Sequence, residues 1–164
     1  LRPIRIRAGA MGGGRPRNDL IVSPQHRVLV NSKIVQKMFG EEEVLVAAKQ
    51  LVSIDGIDVV NEIGDVTYYH FLCDQHEIVF ANGVQTESLY TGPQALKSLW
   101  KGAREEILMT FPELADVDYK ALHARAAVLG SQARNMALRH KRNAKPLIAH
   151  HGDMLFGWAT SSQM

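Results

Sequence analysis

Ile4, Ile6 and Ala8 alternate with Arg5 and Arg7 at the start of the chain, the two-residue period of a strand with one buried and one basic face. Residues 10–19 follow, with Gly12-Gly13-Gly14 between Met11 and Arg15-Pro16-Arg17. Glycine clusters can cradle phosphate. Here no Gly-Lys-Ser/Thr follows and the next element reads as a strand, so a flexible basic loop is expected. Residues 21–30, Ile-Val-Ser-Pro-Gln-His-Arg-Val-Leu-Val, are two β-branched runs around a polar step and predict a strand pair. Asn31-Ser32-Lys33 reads as a turn, residues 34–39 as short and mixed, and residues 40–43 as an exposed acidic bend. Residues 44–52 form a strand-like or short helical run through Ala47-Ala48-Lys49. Asp55-Gly56, between apolar residues of 53–60, is a hairpin signal. Residues 66–84 predict a strand, a polar turn and a second strand that meets Asn82-Gly83, itself read as a turn. Short strands punctuated by Gly, Pro and Asn predict a mainly β fold built as a sandwich, barrel or horseshoe.

At Thr91 the period changes. Leu96, Trp100, Ala103, Ile107 and Phe111 recur at helical spacing from a Pro93 start to a Phe111-Pro112 stop, predicting one amphipathic helix. A second is expected from Asp116 or Asp118, with Leu122, Ala126, Leu129, Ala133 and Met136 on one stripe, ending before Lys145-Pro146. The two are expected to pair as a helical hairpin that covers apolar surface of the β portion or binds a partner. This divides the chain into a β domain over 1–92 and a helical C-terminal extension over 93–164, in which residues 150–164 read as a tail.

Length and composition add bounds. The 164 residues suffice for one domain with a sizeable core or a small domain with an appendage. The formal net charge is +2, and no apolar run reaches membrane-spanning length, so a soluble chain without a membrane partner is expected and its location stays open. With Cys73 as the single cysteine, no internal disulfide can form. Residues 119–151 contain no Asp or Glu but carry Lys120, Arg125, Arg134, Arg139, Lys141, Arg142 and Lys145. Phosphate contact along nucleic acid is one reading. Solvated cations favoured near a helix C-terminus are the preferred one, because no aromatic residue interleaves them as a stacking platform after Tyr119.

The candidate chemistry is concentrated at two places. Pro24 fixes its own φ and pushes Ser23 away from the helical region, so 23–26 presents a hydroxyl and an imidazole at a defined separation, a geometry suited to proton transfer. The alternative is a strand-entry turn whose side chains satisfy nearby backbone. His70, Cys73 and His76 have metal-like spacing, but on a strand Cys73 points away from the two histidines, which disfavours zinc. Cys73 reads as a small buried hydrophobe. Asp74 is a candidate to fix the tautomer of His76, as a supporting pair behind the reacting groups.

Ser23-Pro24-Gln25-His26, followed downstream by Tyr68-Tyr69-His70, Asp74-Gln75-His76-Glu77, Phe80-Ala81-Asn82-Gly83 and Glu87-Ser88, resembles the Hint domain. This is the all-β self-processing module of hedgehog autoprocessing domains and inteins, and the wording is closest to a bacterial branch. The resemblance covers about the first ninety residues. Ser23 and His26 fall on the family's Thr-x-x-His motif, and His70 falls where inteins usually carry Asp.

The resemblance implies a Hint-like β horseshoe and an N-to-S or N-to-O acyl shift at an upstream junction. In that scheme His26 acts as general acid, Ser23 as hydrogen-bond donor to the scissile peptide, and His70 adjusts the second step. Hint chemistry begins with a Cys or Ser at the domain start, and none stands before Ser23. The chain is therefore expected to be the later portion of the domain, inert until joined by its partner, the upstream segment of the same polypeptide. Gln85-Thr86-Glu87-Ser88 lacks the His-Asn ending of inteins, so a single cleavage without splicing is expected. No motif indicates a nucleotide, haem, flavin or metal cofactor. The competing readings are a non-catalytic β-rich binding module and nucleic-acid binding through the basic tail.

Overall fold

The computed structural model describes residues 2–61, 64, 66–69, 71–116 and 118–149. The fold is mainly β, with two sheets and a few helices. In the first sheet β1 (Ile4–Ile6) lies between β2 (Leu20–Val22) and β5 (Ile57–Val59), antiparallel to both. The alternation read at the start of the chain sets this sheet's faces. Ile4 and Ile6 are buried, while Arg5 stands opposite Asp58 and donates to it through Nε at 3.1 Å. Arg7 reaches the same carboxylate. The second sheet runs β6 (Ile78–Ala81), β7 (Val84–Glu87), β3 (Arg27–Val30), β4 (Val44–Ala47), β8 (Ala127–Val128). All its pairings are antiparallel except β4 with β8.

Several expectations change here. The runs of 21–30 are strands, but they do not pair with each other: β2 belongs to one sheet and β3 to the other, so residues 23–26 are the corner between sheets. The mixed segment 34–39 is helix α1 (Lys33–Phe39), started by Ser32, whose hydroxyl accepts from the Val35 N–H, and closed by Gly40 in the left-handed region at φ 72°. Residues 44–50 combine both predicted forms, as β4 and a 3₁₀ turn at Ala48–Gln50. Asp55-Gly56 is a turn but not a hairpin. The strand leaving it, β5, pairs with β1 because the residues before it are turns with no ladder to offer.

The first half of the predicted 66–84 strand pair is absent among the described residues. Its alternation persists, with Tyr68 half-buried between exposed Thr67 and Tyr69, yet the segment lies outside both sheets and regular pairing begins only at Ile78. The Asn82-Gly83 turn is present and joins β6 to β7 with φ of 51° and 83°.

After residue 92 the long helix is broken at Leu99-Trp100 into α2 (Pro93–Ser98) and α3 (Lys101–Thr110). Leu96 is buried, but Trp100 is 74% exposed, so the stripe does not share one packed face. The second predicted helix starts late, as α4 (Gly130–Arg142). Residues before it run to β8, whose partner β4 offers a free edge, and the Leu45 N–H donates to Ala126 O at 2.8 Å. Leu122 is accordingly 82% exposed, whereas Ala133 and Met136 are buried as the period requires.

The core gathers Ile4, Ile6, Met11, Val28, Val30, Val35, Val46 and Leu51 with Val128, Ala133, Met136, Ala137 and Leu147. Among the basic residues of the later chain, Arg125 pairs with Glu43, Lys141 with Asp55 at 3.0 Å, and Arg134 donates to Gln50. Among the described residues no helix is long and apolar enough to cross a membrane.

Candidate functional site

The corner at 23–26 is a β-turn closed by the His26 N–H donating to Ser23 O at 3.1 Å, with Pro24 at the position where its fixed φ is suited to a turn. It is clamped from behind. Pro24 O accepts from the Lys49 N–H at 3.1 Å and His26 O from the Ala48 N–H at 2.9 Å, so the 3₁₀ turn after β4 holds both carbonyls. Pro24 itself is buried. The turn thus places the Ser23 and His26 side chains on the wall of one cleft of about 240 Å³, which also takes in Tyr68, Thr86, Glu87 and Phe80. The cleft lies between β2 and β6, each the edge strand of its sheet.

Glu87, at the end of β7, is the buried carboxylate of this wall. Its Oε1 accepts from the Arg27 backbone N–H at 2.9 Å, and its Oε2 from Arg27 Nη1 and His76 Nε2, both at 3.1 Å. The Ala124 N–H donates to His76 Nδ1 at 2.9 Å, so the ring proton sits on Nε2 and is given to Glu87. Burial pushes the Glu87 carboxyl up. The His76 hydrogen bond, the charge and N–H of Arg27 and the charge of His26 together outweigh it and hold the group below the usual carboxylate range. His123 stacks on Tyr90 with ring centres 4.0 Å apart, and His76 meets both edge-on. Burial, then the charge of Arg27, lowers the proton affinity of His123 against the opposing pull of Glu87.

Of the residues singled out from sequence, Ser23 and His26 are brought together. His70 lies outside the described residues. His76 has a carboxylate partner, but Asp74 is exposed and does not supply it; Glu87 does, and both ring nitrogens are engaged without Asp74. Cys73 is a half-buried thiol outside any strand. Among the described residues no group of three or more His, Cys, Asp or Glu side chains is placed to hold a metal ion. Sequence reasoning missed Glu87 and Tyr68. The available signal for Glu87 was a carboxylate at the end of a strand in which Val84 and Thr86 are also buried, which demands a cationic partner, but nothing local identifies that partner as Arg27, sixty residues earlier.

A family model described as the Hint domain matches residues 1–93. No curated protein and no solved structure matches the chain.

Proposed function

The chain belongs to the Hint-domain family, whose members are of the self-processing type, and on that premise we propose that the cleft beside Ser23 and His26 serves a single self-cleavage of the polypeptide upstream, without splicing. The nucleophile is a Cys thiol or Ser hydroxyl of that upstream segment. Its sulfur or oxygen adds to the carbonyl carbon of the peptide bond before it. The C–N bond then breaks, the nucleophile's proton is balanced by one delivered to the departing amine, and the products are a (thio)ester and a free amino group. The acyl group passes next to water or another acceptor, which releases the upstream flank.

His26 is the general acid for the departing nitrogen, since an imidazole can both hold and give a proton. The Ser23 hydroxyl donates to the carbonyl oxygen as it gains charge, the task of Thr in the family motif. His70, at the family's late-strand Asp position, is assigned proton transfer in the second step. One observation carries the reading: the 23–26 turn is fixed by its own hydrogen bond and two more from behind, so hydroxyl and imidazole meet one cleft in a set relation. Such preorganisation is what a positioned acid and donor require.

Intact-mass analysis of the chain carrying its native upstream sequence tests this, with and without added thiol. Cleavage at one peptide bond is expected, faster with thiol if the intermediate is a thioester. His26→Ala should slow it by about 10²–10⁴-fold, the range of a lost general acid. A folded protein that stays whole would instead make this a Hint module that binds rather than cuts.

A further inference from the structure

Tyr68 lines the same cleft as Ser23 and His26, and its hydroxyl, shielded from solvent, has no hydrogen-bond partner among the described residues. Buried polar groups without a partner in the protein are rare enough to call for an account. The neighbouring wall does not supply one. Glu87 has its oxygens committed to Arg27 and His76. Burial raises the phenol above its ordinary range, so near neutral pH it keeps its proton and acts as a donor in search of an acceptor.

We propose that the Tyr68 hydroxyl donates to the oxygen of a peptide carbonyl seated in this cleft, as a second donor beside Ser23. The inference rests on the self-cleavage reading and adds to it a catalytic residue and the group it recognises. Paired donors aimed where an oxygen gains charge stabilise that charge more than the ground-state carbonyl. The bond network of the reaction is unchanged: the proton stays on the phenol and is only shared.

Tyr68→Phe removes one oxygen and leaves the ring. Its expected signature is two-sided. The melting temperature should hold or rise by about 2–4 °C, because an uncompensated hydroxyl is gone, while self-cleavage of the upstream-extended chain slows by about 10–10²-fold. A hydroxyl with a structural partner, an ordered water included, gives the opposite: a lower melting temperature overturns the proposal, and so does an unchanged cleavage rate.

A second measurement does not need cleavage. The chain itself is titrated with acetyl-diglycine N-methylamide while the amide resonances of Ser23, Thr86 and Glu87 are followed. Saturable shifts that become at least threefold weaker in Tyr68→Phe support the carbonyl site. If the wild type never cleaves but this difference is found, the cleavage reading falls and the carbonyl site stands. If the probe does not bind, or binds both forms equally, the Tyr68 proposal falls whatever the cleavage shows.

Discussion

At Glu87 a carboxylate has left water and is repaid by three donors, from Arg27 twice and from His76 once. Replacing it with Gln removes the charge but keeps the size, leaving the Arg27 guanidinium, itself largely covered, without its counter-ion. The expected cost is about 2–3 kcal/mol, in the range of hydrogen bonds to charged groups and below that of a fully buried ion pair, and urea unfolding at neutral pH measures it. A different polar pin joins α4 to the start of α1. His140 is buried, with Nδ1–H donating to Met136 O at 2.9 Å and Nε2 accepting from the Ser32 hydroxyl at 2.8 Å, which in turn caps α1. Burial lowers the proton affinity of His140, against the opposing bond to Met136. The unfolded chain therefore takes up the proton first. The stability due to this neutral ring is complete above its ordinary value of 6.5 and is lost as the pH falls below that through the folded-state value. His140→Gln should flatten the fall in urea midpoint between neutral and mildly acid pH. His123 contributes a slope of the same sign in both proteins, so the difference between them is the test. An unchanged slope would mean that His140 takes no part in it.

At the scale of elements, periodicity in the sequence showed which residues face inward but not what they face. Ile4 and Ile6 are buried as their alternation requires, and Asn82-Gly83 turns where two consecutive left-handed residues are cheapest. The 21–30 runs were legible as strands. Their separation into two sheets was not, because the decision is made by partners β1 and β7 far away in sequence. The same reasoning explains 116–129: its apolar spacing fits a helix, but the free edge of β4 offers backbone hydrogen bonds that a helix start there would forgo. In the site, Pro24 marked a turn that offers Ser23 and His26, and the Hint resemblance singled the two out as a pair, whereas Glu87 and Tyr68 reach the cleft only through the tertiary fold. The β6–β7 turn is also pinned from outside its hairpin. The Arg17 N–H donates to Asn82 O at 2.8 Å, and Arg15 Nη1 to Gly83 O at 3.0 Å, tying this hairpin to the loop that leads into β2. Gly83→Ala should cost about 1–2 kcal/mol from φ alone, since its added Cβ would find only ordinary contact with Arg17 at 3.6 Å. Urea unfolding checks the size, and a neutral result would show that the turn tolerates a different backbone form.

For the whole molecule, the family match ends at residue 93 but the core does not. Val128 extends the sheet beside β4, Ala133, Met136 and Ala137 pack the α4 face on it, and Leu147 closes the far end. The chain then ties back to its beginning: the Ile148 N–H donates to Met11 O at 3.0 Å, the Asn31 N–H to Leu147 O at 3.1 Å, and Gly12 sits so close to Pro146 that any side chain there would displace it. The glycine-rich loop, legible in sequence only as flexible, is in fact held against this later segment, and Met11 within it is fully buried. Full burial of an aliphatic or Met side chain contributes about 1.5–3 kcal/mol. Val128, Met136 and Leu147 alone therefore stand for something on the order of 5–9 kcal/mol, comparable with the 5–15 kcal/mol that separates most folded domains from unfolding. A chain ended at residue 126 would lose them all and open the β4 edge to solvent. It should give a collapsed amide spectrum and no cooperative melting transition, while the chain through residue 149 melts in one step. Native dispersion in the shortened chain would show instead that the two sheets are self-sufficient and that α4 is an addition to a domain already complete.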